Sequence, residues 1–116
     1  MFPYQNLEVY KKAFFLNKII YNLLKTNPSI PYYIKNQLGR ASLSVVLNIA
    51  EGSAKVTSKD RKNFFVIARG STFESAAIVD ILYSENEISA GLKEQLGKGF
   101  EEISKMLYAM IKKLES

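Results

Sequence analysis

Arg40, Asn48, Glu51, Arg69 and Glu74 are the densest set of side chains able to do chemistry, and two of them are carboxylates. A carboxylate pair serves acid–base hydrolysis when the two groups flank one bond, within about 10 Å of each other. Glu51 and Glu74 do not meet that requirement. They fall on successive helical segments. If the hairpin between them turns near Lys55, residues whose numbers sum to about 110 lie level, and the two carboxylates stand roughly 20 Å apart in height. The same register places Arg40 within about a turn of Glu74 and sets Glu51 near Lys59. The set therefore reads as interhelix pairing and capping, two opposed pairs clipping a hairpin, rather than as an active site.

The remaining catalytic vocabulary is thin. There is no histidine and no cysteine, which removes the commonest general base, the commonest transition-metal ligand, the thiolate nucleophile and any disulfide framework. Gly97-Lys98-Gly99 lies inside a helical pattern and lacks the strand and spacing of a phosphate loop. Neither metal-ligand spacing nor a Ser-His-Asp arrangement occurs, so the sequence predicts no enzyme, no metal and no cofactor.

A second constellation is basic. Lys55, Lys59, Arg61 and Lys62 crowd one turn, and Lys11, Lys12 and Lys18 lie on the first helical segment. Residues 1–62 hold ten Lys/Arg against three Asp/Glu, while residues 63–116 hold six against eight, for a net charge of +5. Such a concentration suits a phosphate contact surface, and assembly of several copies would multiply it. It also suits the solvated start of a helix. No sequence-reading recognition motif is present, so nucleic-acid binding here would rest on shape and charge.

Four helical segments must position these residues. Apolar residues at three- and four-residue steps predict the first over about Asn6 to Lys25, on Leu7, Tyr10, Phe14, Tyr21 and Leu24 with Val9, Ala13, Leu16 and Ile20; Asn6 is its expected N-cap. Thr26-Asn27-Pro28-Ser29 breaks it. The second opens near Pro31, continues through Ile34, Leu38, Ala41, Val45 and Ile49, and is expected to close at Gly52-Ser53. Thr57 to Asp60 supplies capping chemistry for the third, which carries Phe64, Ile67, Ala68, Ser71, Ser75, Ile78, Val79 and Leu82. Ser89 caps the fourth, whose seam is Leu92, Leu96, Phe100, Ile103, Leu107, Met110 and Leu114, with glycines 91, 97 and 99 weakening its first half. Long helices joined by short breaks fold back on one another, so residues 1–116 are expected to form one all-α domain, an antiparallel up-down four-helix bundle.

Three adjacent aromatic pairs, Phe14-Phe15, Tyr32-Tyr33 and Phe64-Phe65, exceed what one narrow stripe can bury, because helical neighbours point about 100° apart. Either the stripe is wide or a second apolar face packs on another subunit. The N-terminus lacks the order of a signal peptide and the longest apolar stretch is too short to span a bilayer, which predicts a soluble cytoplasmic protein with no membrane partner.

Leu7-Glu8-Val9-Tyr10-Lys11-Lys12-Ala13, Gln37-Leu38-Gly39-Arg40-Ala41, Asn48-Ile49-Ala50-Glu51-Gly52 and Ile67-Ala68-Arg69-Gly70-Ser71 resemble, in that order, a bacterial four-helix bundle family. Its members include proteins encoded in intervening sequences of large-subunit ribosomal RNA genes. The family is similar to the accessory protein of diversity-generating retroelements, a pentameric bundle that binds nucleic acid and a reverse transcriptase. The resemblance implies a homopentamer, no enzymatic activity and an RNA or DNA partner. Gly39 stands where the family commonly has arginine, and Ser44-Val45-Val46-Leu47 where it has Ser-Ile-Pro-Ser, so one cation is lost and the second helix is expected to run straighter. Two functions follow: an oligomeric bundle binding structured nucleic acid through Lys11, Lys12, Lys18, Lys55, Lys59, Arg61 and Lys62, or a scaffold whose apolar faces hold a partner protein.

Overall fold

The computed structural model describes all 116 residues. A short 3-10 turn (Pro3–Asn6) leads into α1 (Glu8–Thr26), α2 (Tyr32–Ala54), α3 (Ser58–Ser84) and α4 (Ala90–Glu115). Each helix packs on its two neighbours around a square, α1 on α2, α2 on α3, α3 on α4 and α4 on α1, with no diagonal contact. This is the expected up-down four-helix bundle. The molecule is 44 Å long and 25 by 22 Å across, the length that helices of this size impose at 1.5 Å per residue. No helix is long and apolar enough to cross a membrane.

The ends of the helices follow from local chemistry. Thr57 accepts the Asp60 N–H through its hydroxyl at 3.1 Å, and Ser89 accepts that of Leu92 at 3.1 Å, each satisfying a donor that the first turn leaves free. At the far end of α3 the Asn86 N–H donates to the Tyr83 carbonyl and the Glu87 N–H to that of Leu82. Asn86 takes a left-handed conformation, φ 60°, and so completes the reversal that usually falls to glycine. The two turns at this end are tied together, since the Asn27 side-chain amide donates to the Glu87 carbonyl at 3.1 Å.

Two boundary expectations are corrected. Asn6 does not cap α1: it lies in the 3-10 turn, and Leu7 takes the N-cap position without a side-chain bond. Gly52 does not close α2, which runs on to Ala54. Gly52 is buried inside the helix because a Cβ there would lie 2.7 Å from Phe65 Cε1 and 3.0 Å from Phe64 Cβ. Its role is close approach of α3, with no left-handed turn involved. Helix α2 has no break between Tyr32 and Ala54. Glycines 91, 97 and 99 likewise leave α4 continuous. Gly99 packs against Leu16, whose Cδ1 would stand 2.6 Å from an added Cβ, so tight α1–α4 packing offsets part of its poor helix propensity.

The core is a single cluster: Val9, Ala13, Leu16 and Ile20 from α1, Leu38, Val45 and Ile49 from α2, Phe65, Ala68, Val79 and Leu82 from α3, and Leu96, Phe100, Ile103 and Leu107 from α4. Several residues assigned to the core stripes lie outside it. Phe14, Tyr21 and Ile67 are exposed, Phe65 takes the interior position expected of Phe64, and Ile111 that of Met110. Buried hydroxyls are all paired: Ser42 donates to Asn17 Oδ1 at 2.8 Å and Thr72 to the Ala68 carbonyl at 2.8 Å.

Candidate nucleic-acid interface

The polar set on α2 and α3 does not form the expected ion-pair clip. Arg40 and Glu74 border one shallow depression between these helices, together with Ser44 and Ser71. They make no salt bridge, and neither do Glu51 and Lys59. The contact across the hairpin is instead a hydroxyl pair, Ser44 Oγ to Ser71 Oγ at 2.8 Å, with Asn48 donating to the Ser44 carbonyl and hydroxyl at 2.8 and 2.9 Å. Small side chains bring the helices close enough for this short bond, while the long charged side chains lie outside in water, where pairing contributes little. Arg69 faces the other way. Its Nε donates to the Ser104 carbonyl of α4 at 3.1 Å, and its guanidinium lies 4.9 Å from the Phe73 ring and 5.2 Å from that of Tyr108.

The structure gathers Lys55, Lys59, Arg61 and Lys62 at one end of the bundle and engages most of them. Arg61 donates to the carbonyls of Ser53 and Lys55 at 3.1 and 3.4 Å, so it closes the end of α2. Lys62 pairs with Glu115 at 2.7 Å, and Lys55 sits 4.9 Å above the Phe64 ring. Hydrogen bonds from Lys62 and Lys112, with their charge, hold the Glu115 carboxyl below its ordinary value. Lys59 alone of the four has no partner and is exposed.

Lys11, Lys12 and Lys18 of α1 point to different surroundings. Lys11 pairs with Glu8 at 3.4 Å within its own helix. Lys12 reaches Glu102 on α4 at 2.7 Å; that hydrogen bond and charge raise the lysine and lower the carboxyl. Lys18 is exposed without a partner, about 9 Å of helical rise beyond Lys12 and away from the basic turn. The seven residues thus form no continuous patch.

Two further cations without an acidic partner, outside the predicted set, share one groove. Lys25, in the last turn of α1, and Lys35, in the first turn of α2, line one groove with Tyr21 and Tyr32. A hairpin turning near Ile30 sets residues 25 and 35 level, so the register of the α1–α2 hairpin is the signal that joins them. No cluster of three or more carboxylates is placed to hold a metal ion.

Several apolar side chains are also about half exposed: Leu47 on α2 and Ile67 and Ile81 on α3, at 48% to 51%, with Leu43 in the groove between α1 and α2 and Val66 and Phe73 in grooves between α3 and α4.

The model of the family described as 23S rRNA-intervening sequence protein matches residues 5–109. The chain belongs to the 23S rRNA-intervening sequence protein family. A crystal structure of a protein of unknown function of the S23 ribosomal protein family, from Bacteroides thetaiotaomicron, is similar to it with a TM-score of 0.85 and 25% identity, covering 90% of this chain and 98% of that one. No curated protein matches. Membership of this intervening-sequence family agrees with the resemblance carried by the Asn48–Gly52 motif, and Gly52 now has a packing reason within it.

Proposed function

We propose that this intervening-sequence family protein is a non-enzymatic, cytoplasmic assembly module whose copies associate through the outer faces of α2 and α3 and bind nucleic acid through unpaired surface cations. The observation that carries the reading is the exposure of Leu47, Ile67 and Ile81 on the outer faces of α2 and α3, which assembly would remove from water at roughly 25 cal/mol per Å². The resemblance read from the sequence motifs makes a homopentamer the assembly to test. Ten of the sixteen Lys/Arg have no acidic partner, and repetition of such cations around an assembly strengthens weak phosphate contacts.

Light scattering after size-exclusion chromatography tests the first half, with a multimer expected at micromolar concentration and a Leu47→Glu/Ile67→Glu variant expected to run as a folded monomer. A wild-type chain that stays monomeric would refute it. Fluorescence anisotropy with labelled RNA and DNA tests the second. Affinity should fall steeply with salt, and reversing Lys18, Lys55 and Lys59 to glutamate should weaken it; indifference to both would refute nucleic-acid binding. If the variant that loses assembly instead loses a co-purifying protein from the native host, with nucleic acid absent, the scaffold reading replaces this one.

A further inference from the structure

We propose that the groove between α1 and α2 holds an unpaired strand of RNA or DNA, its phosphates on Lys25 and Lys35 and its bases stacked on Tyr21 and Tyr32. The inference rests on the reading that the protein binds nucleic acid, and it names the form of nucleic acid and the site.

The groove measures about 660 Å³; the two lysines, the two tyrosines, Asn17 and Asn36 rim a floor that is mainly apolar and includes Leu24 and Leu43, and no carboxylate lines it. Neither lysine has an acidic partner. Tyr21 and Tyr32 are 65% and 82% exposed, so their ring faces are open at the same place as the free charge. Asn17 is already oriented, because its Oδ1 accepts from the buried Ser42 hydroxyl at 2.8 Å, which leaves its amide N–H groups free to donate into the groove. Cations beside open aromatic faces are what a single strand uses: the charge follows the backbone and each unpaired base offers a π-face. A duplex keeps its base faces stacked inside and would engage the lysines alone. One of the grooves between α3 and α4 is the electrostatic opposite, with Asp80 and Glu101 in its lining and no cation, and the other sets Glu115 beside its Arg69 and Lys112, so the groove between α1 and α2 is the one that joins cations to open tyrosines without a carboxylate. Burying Lys25 and Lys35 against an uncharged apolar partner would strip two ammonium groups of water without compensation, which favours a polyanion as occupant.

The test is anisotropy on the full chain with fluorescein-labelled oligo(U) and oligo(dT) of about a dozen nucleotides and a duplex of equal length. Both single strands should bind more tightly than the duplex. Tyr21→Ala and Tyr32→Ala should each weaken single-strand binding at least about fivefold and leave duplex binding unchanged. Lys25→Gln with Lys35→Gln should flatten the logarithmic salt dependence by about 1.4. Preference for U assigns RNA and preference for dT assigns DNA, and either supports the site. All four side chains are at the surface, and unchanged far-UV circular dichroism separates loss of binding from loss of fold. Duplex binding as tight as single-strand binding, or tyrosine variants that bind normally, would overturn the groove while nucleic-acid binding stands. No binding of any oligonucleotide would remove both. A tyrosine variant whose mass falls to that of the monomer would make the groove a subunit contact and overturn the proposal.

Discussion

Replacing Gly52 by alanine should destabilise the bundle although alanine is the better helix former. Gly52 is buried within α2, and an added Cβ would stand 2.7 and 2.9 Å from Phe65 Cε1 and Cδ1 and 3.0 Å from Phe64 Cβ. Phe65 is 1% exposed, so its ring has nowhere to turn and α2 and α3 must separate. Overpacking of this kind costs about 1–3 kcal/mol, and the propensity gain returns about 1 kcal/mol. The expected net loss is about 1 kcal/mol. Gly97→Ala is the control, since nothing lies within 4 Å of its added Cβ, and it should gain about 0.5–1 kcal/mol. Thermal melts followed by circular dichroism should therefore move in opposite directions for the two variants, with melting temperatures separated by roughly 5 °C or more. A Gly52→Ala protein as stable as Gly97→Ala would refute the close approach and return Gly52 to an ordinary helical position.

Two further outcomes follow from the helix ends and the ion pairs. Thr57→Ala removes the acceptor of the Asp60 N–H and should cost about 1 kcal/mol in the same melts, whereas Asn6→Ala should be near neutral because Asn6 caps nothing. Glu102 and Glu115 are held below their ordinary 4.5 by lysine partners, so the stability they supply is complete above that value and is lost as pH falls through their lowered folded-state values. Lys12 is raised above its ordinary 10.5, so its share is lost only as pH rises through that raised value. Melting temperature against pH should show a smaller acid-side decline for Glu102→Gln than for wild type.

The fold was legible because it rests on periodicity and on caps that act within four residues. Thr57 and Ser89 cap where their hydroxyls suggested, and Leu96, Phe100, Ile103 and Leu107 bury as their spacing required. What depended on a single step of about 100° was less legible: Phe65 lies inside and Phe64 at the margin, and nothing in an adjacent aromatic pair says which member faces in. Gly52 carried two physical meanings, and only the neighbouring helix decides between them. The Arg40–Glu74 and Glu51–Lys59 pairs expected from the hairpin register do not form; register sets only the height of a residue along the hairpin, and the contact that closes it is the Ser44–Ser71 hydroxyl pair. Lys25 and Lys35 were missed for the converse reason: neither belongs to a local charge run, and they meet only when α1 and α2 are folded together.

Sedimentation velocity of the full chain mixed with a fluorescently labelled RNA, tracked through the label at low ionic strength, tests assembly and nucleic-acid binding at once. The label should sediment with a multimer of the 13.1 kDa chain and be released as salt is raised. Label sedimenting alone beside a monomeric chain would contradict it.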